Sequence, residues 1–221
     1  MNKNLDIQIV SDVVCPWCYI GKRNYDKAIQ SLKTLHPDLK INLHLRPFRL
    51  DPSIPSEGVP RDKAIEEKFG GKAQAQRIFQ RTKKAAQDAG IQMEFLPGIQ
   101  QPNTLDCHRL IRLAGEHNLQ EEMLESLFNA YFTENKNLTD QSFLSELAIH
   151  VGIPEKELAE FWDKGLYKEE TESEELRMRS LGVTGVPFFI LNGGYAFSGA
   201  QPPEVMESIL LEIINNKPTP A

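Results

Sequence analysis

Apolar residues alternate with polar ones near both ends of the chain and recur at helical spacing in between. An alternating segment from Leu5 to Val14 predicts a strand, and a second one from Ile41 to Leu45 predicts another. Between them, apolar residues spaced as on one face of a helix run from Tyr25 to Leu35 and stop at the sequence "HPD". The first fifty residues therefore predict a β-α-β unit.

Helical patterns dominate the middle of the chain, after a proline-rich loop from Arg49 to Pro60. The apolar positions predict a series of helices that are separated by turn residues. The predicted helices are Lys72–Ala89, one from Asn103 or Thr104 to about His117, Met123–Tyr131, Phe143–Val151, a short helix opened by Pro154, and one in the acidic stretch "KEETESEELRMRS".

The last forty residues return to strand-like patterns. An apolar run from Val186 to Leu191 and a short strand from Tyr195 to Ser198 flank an Asn-Gly pair, which is a strong hairpin signal. Pro203 then opens an amphipathic helix. The order predicts an α/β protein with one sheet built from both ends of the chain. We expect a first domain formed by residues 1–50 plus 182–221, and a helical insertion domain formed by residues 51–181.

Composition and charge narrow the classes of partner. The 221 residues carry a net charge of −6 at pH 7, and 40% of them are hydrophobic. Binding to nucleic acid or to an acidic membrane needs clustered basic residues, so we expect neither partner. The N-terminal segment has no apolar core of signal-peptide length, and no segment has the roughly 20 apolar residues that cross a bilayer. We therefore expect a cytoplasmic location, and the oligomeric state stays open.

Two of the three cysteines, Cys15 and Cys18, are separated by only two residues. In the cytoplasm such a pair favours metal binding or catalysis over a structural disulfide. Pro16 suits a first helical turn, so Cys15 would lie where free backbone N–H groups and the helix dipole stabilise a thiolate. Cys18, one turn later, could attack a mixed disulfide at Cys15. A zinc site needs more ligands, which Cys107 and the histidines would have to supply, so we favour redox catalysis and predict no metal.

Four motifs spread over most of the chain resemble those of a known family: "SDVVCPWCYIGK", "PNTLDCHRLI", "GVTGVPFF" and "FSGAQP". With them the chain resembles the DsbA-like branch of the thioredoxin superfamily and, within it, the FrnE-type group. That group is related to 2-hydroxychromene-2-carboxylate isomerases and kappa-class glutathione transferases. The resemblance implies a thioredoxin fold, β-α-β … β-β-α, with an inserted all-helical domain.

The resemblance also implies roles for residues around the cysteines. Pro187 matches a family proline that is in the cis form beside the cysteine pair, and the backbone of the preceding Val186 would pair with substrate. An X-Pro bond is the one for which cis costs little, and proline is tolerated at the start of a strand. Pro16 and Trp17 would tune the redox couple through helix geometry, packing and exposure.

Two further segments are candidates for binding substrate or glutathione. In the glutathione-using relatives, the helix start that matches "FSGAQP" helps to bind the γ-glutamyl end, at the anion site of a helix N-terminus. Here that segment supplies Gly199, Ala200 and Gln201. Asn103 and Arg109 could face the active-site groove, and Asn103 or Thr104 could cap the helix that is predicted to begin there.

Cys107 has two possible interpretations, and Cys15 distinguishes this chain from the glutathione-using relatives. Cys107 is expected to pack as a small buried apolar residue, and a third redox thiol is its alternative interpretation. The glutathione-using relatives carry a serine near the position of Cys15, and this departure favours thiol chemistry here.

Three functions follow as hypotheses. The first is a thiol–disulfide oxidoreductase in which Cys15 is the nucleophile and Cys18 the resolving thiol. It would need no cofactor, and glutathione or another thiol would serve as co-substrate. The second is a glutathione-dependent isomerase or transferase of the 2-hydroxychromene-2-carboxylate isomerase or kappa type. The third is a zinc-carrying or chaperone-like adaptor whose helices bind clients.

Overall fold

The computed structural model describes residues 4–215 and contains a four-stranded mixed sheet. Its strands are β1 (Asn4–Ser11), β2 (Lys40–Pro47), β5 (Phe188–Leu191) and β6 (Tyr195–Ser198). Their order in the sheet is β2-β1-β5-β6, where β1 pairs in parallel with β2 and antiparallel with β5, which pairs antiparallel with β6. Segments near both ends of the chain therefore build one sheet, as the pattern predicts.

Helices connect and cover these strands. Helix α1 joins β1 to β2 and packs with the last helix, α9, over an apolar cluster that includes Ile7, Leu32 and Leu210. The other helices form the insertion between β2 and β5. The helices are α1 (Pro16–Leu35), α2 (Arg61–Phe69), α3 (Lys72–Asp88), α4 (Leu105–Glu116), α5 (Gln120–Phe132), α6 (Gln141–Val151), α7 (Glu155–Asp163), α8 (Lys168–Ser180) and α9 (Pro203–Asn215).

The structure adds elements that the sequence pattern does not predict. Helix α2 offers few apolar positions, and Arg61 is its one buried residue. A two-stranded sheet pairs β3 (Val59–Pro60) with β4 (Gln100–Gln101), and strands of two residues are too short to show alternation. Strand β5 begins at Phe188 rather than at Val186, because Pro187 has no N–H to give to the sheet.

The start of α1 packs into the helical insertion. Cys15, Cys18 and Tyr19 belong to the same apolar cluster as Leu110 and Phe128, which lie on α4 and α5. The cysteine pair therefore lies where the sheet-bearing part of the chain meets the inserted helices. The domain boundaries near residues 50 and 182 stay a prediction. Within residues 4–215, every helix is too short or too polar to cross a membrane.

Candidate active site

The turn between β1 and α1 positions the two cysteines. Cys15 is the residue before the first helical turn, with extended backbone angles, and Pro16 follows at the first helical position. The backbone N–H of Cys15 donates to the Asp12 carbonyl at 3.0 Å, and the N–H of Cys18 donates to the Cys15 carbonyl at 3.0 Å. Proline fits here because the first helical N–H groups have no partner within the helix.

The segment before β5 approaches the first cysteine. The peptide bond between Val186 and Pro187 is cis, and the Cys15 thiol donates to the Val186 carbonyl at 3.6 Å. Gly21 of α1 also lies close to Pro187, because a Cβ added at Gly21 would be 3.0 Å from the proline Cγ. A glycine at this helical position therefore lets α1 and Pro187 pack closely beside the cysteines.

The two cysteines are not bonded to each other, and both are buried, with exposed fractions of 5% for Cys15 and 2% for Cys18. Burial raises the pKa of the Cys18 thiol well above its usual value, and the neighbouring Cys15 raises it further. The nearby polar groups of the Asp12 backbone and the Ser11 side chain oppose this rise in pKa. Cys18 is therefore held as a neutral thiol at neutral pH.

A large cavity, called here the front cavity, opens beside Cys15. It has a volume of about 810 Å³, and Pro16, Trp17 and Val186 lie along it with Cys15. Aromatic side chains from the helical insertion supply much of the opposite wall: Phe69, Phe79, Phe95 and Phe132. A cavity of this size and composition can hold a small organic molecule or an apolar segment of a peptide.

One buried cation, Arg61 of α2, also lies along the front cavity. Its guanidinium donates to the Leu96 carbonyl at 2.8 Å and to the Asn135 side-chain oxygen at 3.2 Å, and it contacts the rings of Phe95 and Tyr131. Sequence reasoning did not find this residue. A first-turn arginine in a polar helix carries no signal that it will be buried.

The predicted glutathione segment is adjacent to Pro187. The backbone N–H of Gly199 donates to the Pro187 carbonyl at 2.8 Å, and Ala200 packs against the main apolar cluster. The Gln201 carbonyl accepts from the Asn24 side chain at 3.0 Å, and the Gln201 side chain donates to the carbonyl of Ser198. These contacts bring the segment to the same place as the cysteine pair.

Asn103 supports the front cavity without lining it. Its side-chain nitrogen donates to the carbonyl of Ile54, a residue of the cavity wall, at 2.7 Å. Its side-chain oxygen accepts from the Leu105 backbone N–H at 3.1 Å, while Thr104, at the capping position of α4, makes no side-chain cap bond.

Arg109 is committed to packing within the helical insertion. Its guanidinium donates to the Leu166 carbonyl at 2.7 Å and to the Phe161 carbonyl at 3.1 Å, and it pairs with Asp106. It also contacts the rings of Phe161 and Trp162. These contacts hold α4 against the α7–α8 region, and Arg109 is not among the residues along the front cavity. Its predicted part in binding substrate or glutathione stays a prediction.

Cys107 lies on α4 with no exposed surface. Burial raises its pKa well above the usual value, and the charges of Asp106 and Asp12 raise it further. A neutral, buried thiol is a poor nucleophile, so these surroundings fit the interpretation of Cys107 as a packing residue. Among residues 4–215, no group of three or more His, Cys, Asp or Glu side chains is arranged to hold a metal ion.

Comparisons with known proteins agree on the fold. Residues 6–211 match the model of the DSBA-like thioredoxin domain. A probable DsbA oxidoreductase from Streptomyces coelicolor is 30% identical, with a TM-score of 0.88, and the alignment covers 98% of this chain and 92% of that one. The protein YwbO of Bacillus subtilis is 24% identical over 92% of this chain and 94% of its own length.

More distant structures share the fold. A 2-hydroxychromene-2-carboxylate isomerase has a TM-score of 0.69 at 14% identity, covering 95% of this chain and 96% of its own. The cytosolic disulfide reductase DsbM from Pseudomonas aeruginosa, solved with glutathione, has a TM-score of 0.66 at 14% identity, covering 96% of this chain and 100% of its own.

Proposed function

We propose that this chain, which belongs to the DSBA-like thioredoxin family, is a thiol–disulfide oxidoreductase that uses Cys15 and Cys18 as its redox couple. The Cys15 thiolate attacks a substrate disulfide and displaces one thiolate, forming a mixed disulfide. Cys18 then attacks the Cys15 sulfur, which releases the second substrate thiolate and leaves a Cys15–Cys18 disulfide. The observation that carries the proposal is the position of Cys15 on the front cavity with Cys18 buried behind it.

In this proposal, the residues around Cys15 position the substrate and control the exposure of the cysteines. The Val186 carbonyl, which accepts a hydrogen bond from the Cys15 thiol in the free protein, is released to pair with substrate once the thiolate attacks. Pro187 holds the substrate sulfur in reach, and Pro16 with Trp17 sets the exposure of the cysteines. The front cavity receives an apolar part of the substrate, which is a disulfide-bearing or thiol-bearing protein or small molecule.

No metal or organic cofactor takes part in the proposed reaction. A thiol such as glutathione, or a protein thiol, reduces the Cys15–Cys18 disulfide and closes the cycle. We place the reaction in the cytoplasm, where a reducing thiol pool is at hand. The cytosolic disulfide reductase that shares the fold supports this choice.

A redox titration tests the proposal. The purified protein is equilibrated in glutathione buffers of graded potential, free thiols are alkylated, and the intact mass is measured. We expect a single two-electron transition that involves Cys15 and Cys18, and Cys15→Ser should abolish it. If no disulfide forms at any potential in metal-free buffer, the oxidoreductase function is excluded.

A second candidate, a glutathione-dependent isomerase or transferase, rests on the segment from Gly199 to Gln201 beside Pro187. An isomerase shares the fold. In this alternative glutathione lies along the segment, and Cys15 takes the place of the relatives' serine. Activity on a small electrophile that requires glutathione and survives Cys18→Ser would favour this candidate over the redox couple.

A further inference from the structure

Arg61 is a buried cation whose charge no other group in the described part of the chain neutralises. The residue is 1% exposed. Its Nη2 donates to the Leu96 carbonyl and to the Asn135 side-chain oxygen, which are both neutral acceptors. Among residues 4–215, its Nε and Nη1 have no hydrogen-bond partner, and no carboxylate oxygen lies within 4.0 Å of its guanidinium nitrogens.

A buried guanidinium without an anion is unusual for a physical reason. Arginine stays protonated in proteins, so Arg61 cannot lower the cost of its burial by losing a proton. Buried charges are therefore normally paired with an opposite charge. The rings of Phe95 and Tyr131, whose centroids lie 5.6 and 5.3 Å from the Arg61 Cζ, stabilise the cation in part. They give no acceptor to the two unpaired nitrogens, so the anion that would complete the site is missing.

The backbone around Arg61 fixes this cation in its place. The Arg61 N–H donates to the Ile99 carbonyl at 2.9 Å, and the preceding residue, Pro60, pairs with Gln100 in the β3–β4 sheet. Helix α2 is otherwise polar, and Arg61 is its one buried residue. The short sheet therefore holds the start of α2 so that its buried side chain is a charged one.

The front cavity connects this cation with the proposed nucleophile, because both Arg61 and Cys15 lie along it. Its volume of about 810 Å³ is within the range of about 300–1,000 Å³ that is typical of small-molecule sites. The other charged residues along the cavity are Asp51, Glu67 and Lys68, and all three are exposed. The interior of the cavity therefore combines an apolar, largely aromatic wall with one buried positive charge.

A second polar side chain of the cavity wall adds a hydrogen-bond donor. The Tyr131 hydroxyl donates to the Gln101 Oε1 at 2.9 Å, and both residues lie along the front cavity. This bond orients the Gln101 amide, so that its nitrogen is the group left for a ligand. Because the Tyr131 ring contacts Arg61, the amide and the guanidinium belong to the same part of the wall. Both are donors, which suits an anionic acceptor.

On the premise of the oxidoreductase function proposed above, we propose that the front cavity binds a small organic disulfide that carries a carboxylate on an apolar body, with the carboxylate at Arg61 and the disulfide at Cys15. The carboxylate neutralises the buried guanidinium and accepts from its unpaired N–H groups. The apolar body contacts the aromatic wall. An uncharged disulfide of the same shape leaves Arg61 without an anion, so the cavity selects the acid.

The carboxylate takes no part in the covalent steps. The Cys15 thiolate bonds to one substrate sulfur, and the other substrate sulfur leaves as a thiolate with the electron pair of the broken disulfide bond. Cys18 then loses its proton to solvent and bonds to the Cys15 sulfur, which releases the first substrate half as a second thiolate. Arg61 thus acts through binding and orientation of the substrate alone.

A pair of aromatic disulfides that differ in charge tests this selectivity. The substrates are 4,4′-dithiodibenzoate and its uncharged bis(N-methylamide), and stopped-flow absorbance measures the release of the first aromatic thiolate by the reduced protein. Each rate is divided by the rate of the same substrate with 2-mercaptoethanol, which corrects for intrinsic reactivity. We expect the wild-type protein to prefer the acid by roughly tenfold or more, the effect typical of a hydrogen bond to a charged group.

Variants of two cations on helix α2 assign the preference to a residue. Arg61→Met removes the guanidinium and should slow the reaction with the acid by roughly tenfold or more, with the amide rate within about twofold of the wild-type rate. Lys63→Gln is the matched control, because it removes the same charge from the same helix at a side chain that is 74% exposed. It should leave both rates unchanged, since an exposed charge is screened by solvent and salt. Equal slowing with both substrates in Arg61→Met would overturn the proposal.

Two further measurements keep the test decisive. If Arg61→Met does not fold, Arg61→Lys keeps the charge with different donors and should lose part of the preference for the acid. A wild-type protein without any preference for the acid overturns the proposal by itself. Glutathione disulfide carries carboxylates without an apolar body, so Arg61→Met should affect it less than the aromatic acid. An equal loss with glutathione disulfide would overturn the assignment of an apolar acid and make glutathione the occupant.

The wild-type protein also separates failure of this proposal from failure of the proposed function. If it reacts with neither aromatic disulfide, or forms no Cys15–Cys18 disulfide after the reaction, the oxidoreductase function itself fails. If it reduces both substrates at equal corrected rates and Arg61→Met does the same, the redox couple stands and Arg61 binds no substrate carboxylate.

Discussion

Two cavities on either side of the β1–α1 turn residues Ser11 and Cys15, one lined by each, differ in size and in chemistry. The front cavity holds about 810 Å³, touches Cys15 and is walled largely by aromatic rings. A second cavity, called here the rear cavity, holds about 160 Å³ and is lined by Ser11, His108 and Thr171, whose buried side-chain atoms Oγ, Nε2 and Oγ1 have no hydrogen-bond partner among residues 4–215. Two thiols one helical turn apart therefore have different surroundings: Cys15 lies along the front cavity, whereas Cys18 is buried and lies along neither cavity.

The largest effect is expected when the proposed resolving thiol, Cys18, is replaced. Cys18→Ser should trap the mixed disulfide at Cys15 and reduce turnover with a disulfide substrate by roughly a hundredfold or more, because the covalent intermediate cannot be resolved. Intact mass after exposure to oxidised glutathione should show one adduct. Cys15→Ser should show none under the same conditions, because Cys18 is buried and, unlike Cys15, does not lie along the front cavity. Adducts of equal yield on both variants would contradict distinct roles for the two thiols.

The next effect concerns the front cavity alone. Ala64 of α2 lies along its wall, so Ala64→Phe should narrow the cavity and lower kcat/KM for a bulky peptide disulfide by roughly tenfold. The rate with a small aliphatic disulfide, hydroxyethyl disulfide, should change little. Ala64→Ser nearly keeps the volume and serves as the control. If both substrates lose the same factor, the front cavity does not receive substrate.

A smaller effect is expected where α1 contacts Pro187. Gly21→Ala would place a Cβ 3.0 Å from the proline Cγ, so the contact should cost about 1 kcal/mol despite the better helix propensity of alanine. Gly115→Ala on α4 is the matched control, because its Cβ would meet only the flexible end of Gln120 at 3.2 Å. That variant should gain roughly 0.5 kcal/mol. Urea unfolding measures both, and a gain in both variants would show that Pro187 yields freely.

The last effect, which appears only at alkaline pH, concerns Cys107, a fully buried thiol on α4. Burial raises the pKa of Cys107, with Asp106 and Asp12 adding to it, so the folded-state pKa lies above that of the unfolded chain. The stability contributed by the neutral thiol is complete below the unfolded pKa of about 8.5 and falls as the pH rises above it. One pH unit higher, Cys107→Ala should have lost about 1 kcal/mol less than the wild-type protein, relative to their difference at neutral pH. Parallel pH curves from urea unfolding would contradict the burial of a neutral thiol.

Local sequence was enough to predict most of the elements. Alternation around Ile7 and Leu43 predicted the first two strands, and the Asn192-Gly193 pair predicted the β5–β6 hairpin, because these signals act over a few neighbouring residues. The same locality applies to the cysteine turn, where Pro16 defines the start of α1. Helix α2 and the β3–β4 pair were not predicted, because these elements have too few apolar positions to show a helical or alternating pattern.

The residues of the candidate site also divide into those that the local sequence predicted and those that it did not. Cys15, Cys18 and Pro187 were found from short motifs. Arg61 was not, and neither was the buried contact in which His108 Nε2 lies 3.6 Å from Asp12 Oδ1. Asp12 carried an overlooked signal, since an acidic residue among β-branched ones just after a buried strand must find a polar partner. His108 carried one too, at helical spacing from Ile111 on the apolar side of α4.

The order of elements, the redox chemistry available to the cysteine pair and the residues at its turn all follow from the amino-acid sequence, because they depend on residue type and on spacing within a few positions. The three-dimensional packing was needed to learn that Arg109 packs against Phe161, that the insertion walls a cavity beside Cys15, and that His108 approaches Asp12. These contacts join residues far apart in the chain. They arise from the packing of helices against one another and against the sheet, for which no single stretch of sequence carries the information.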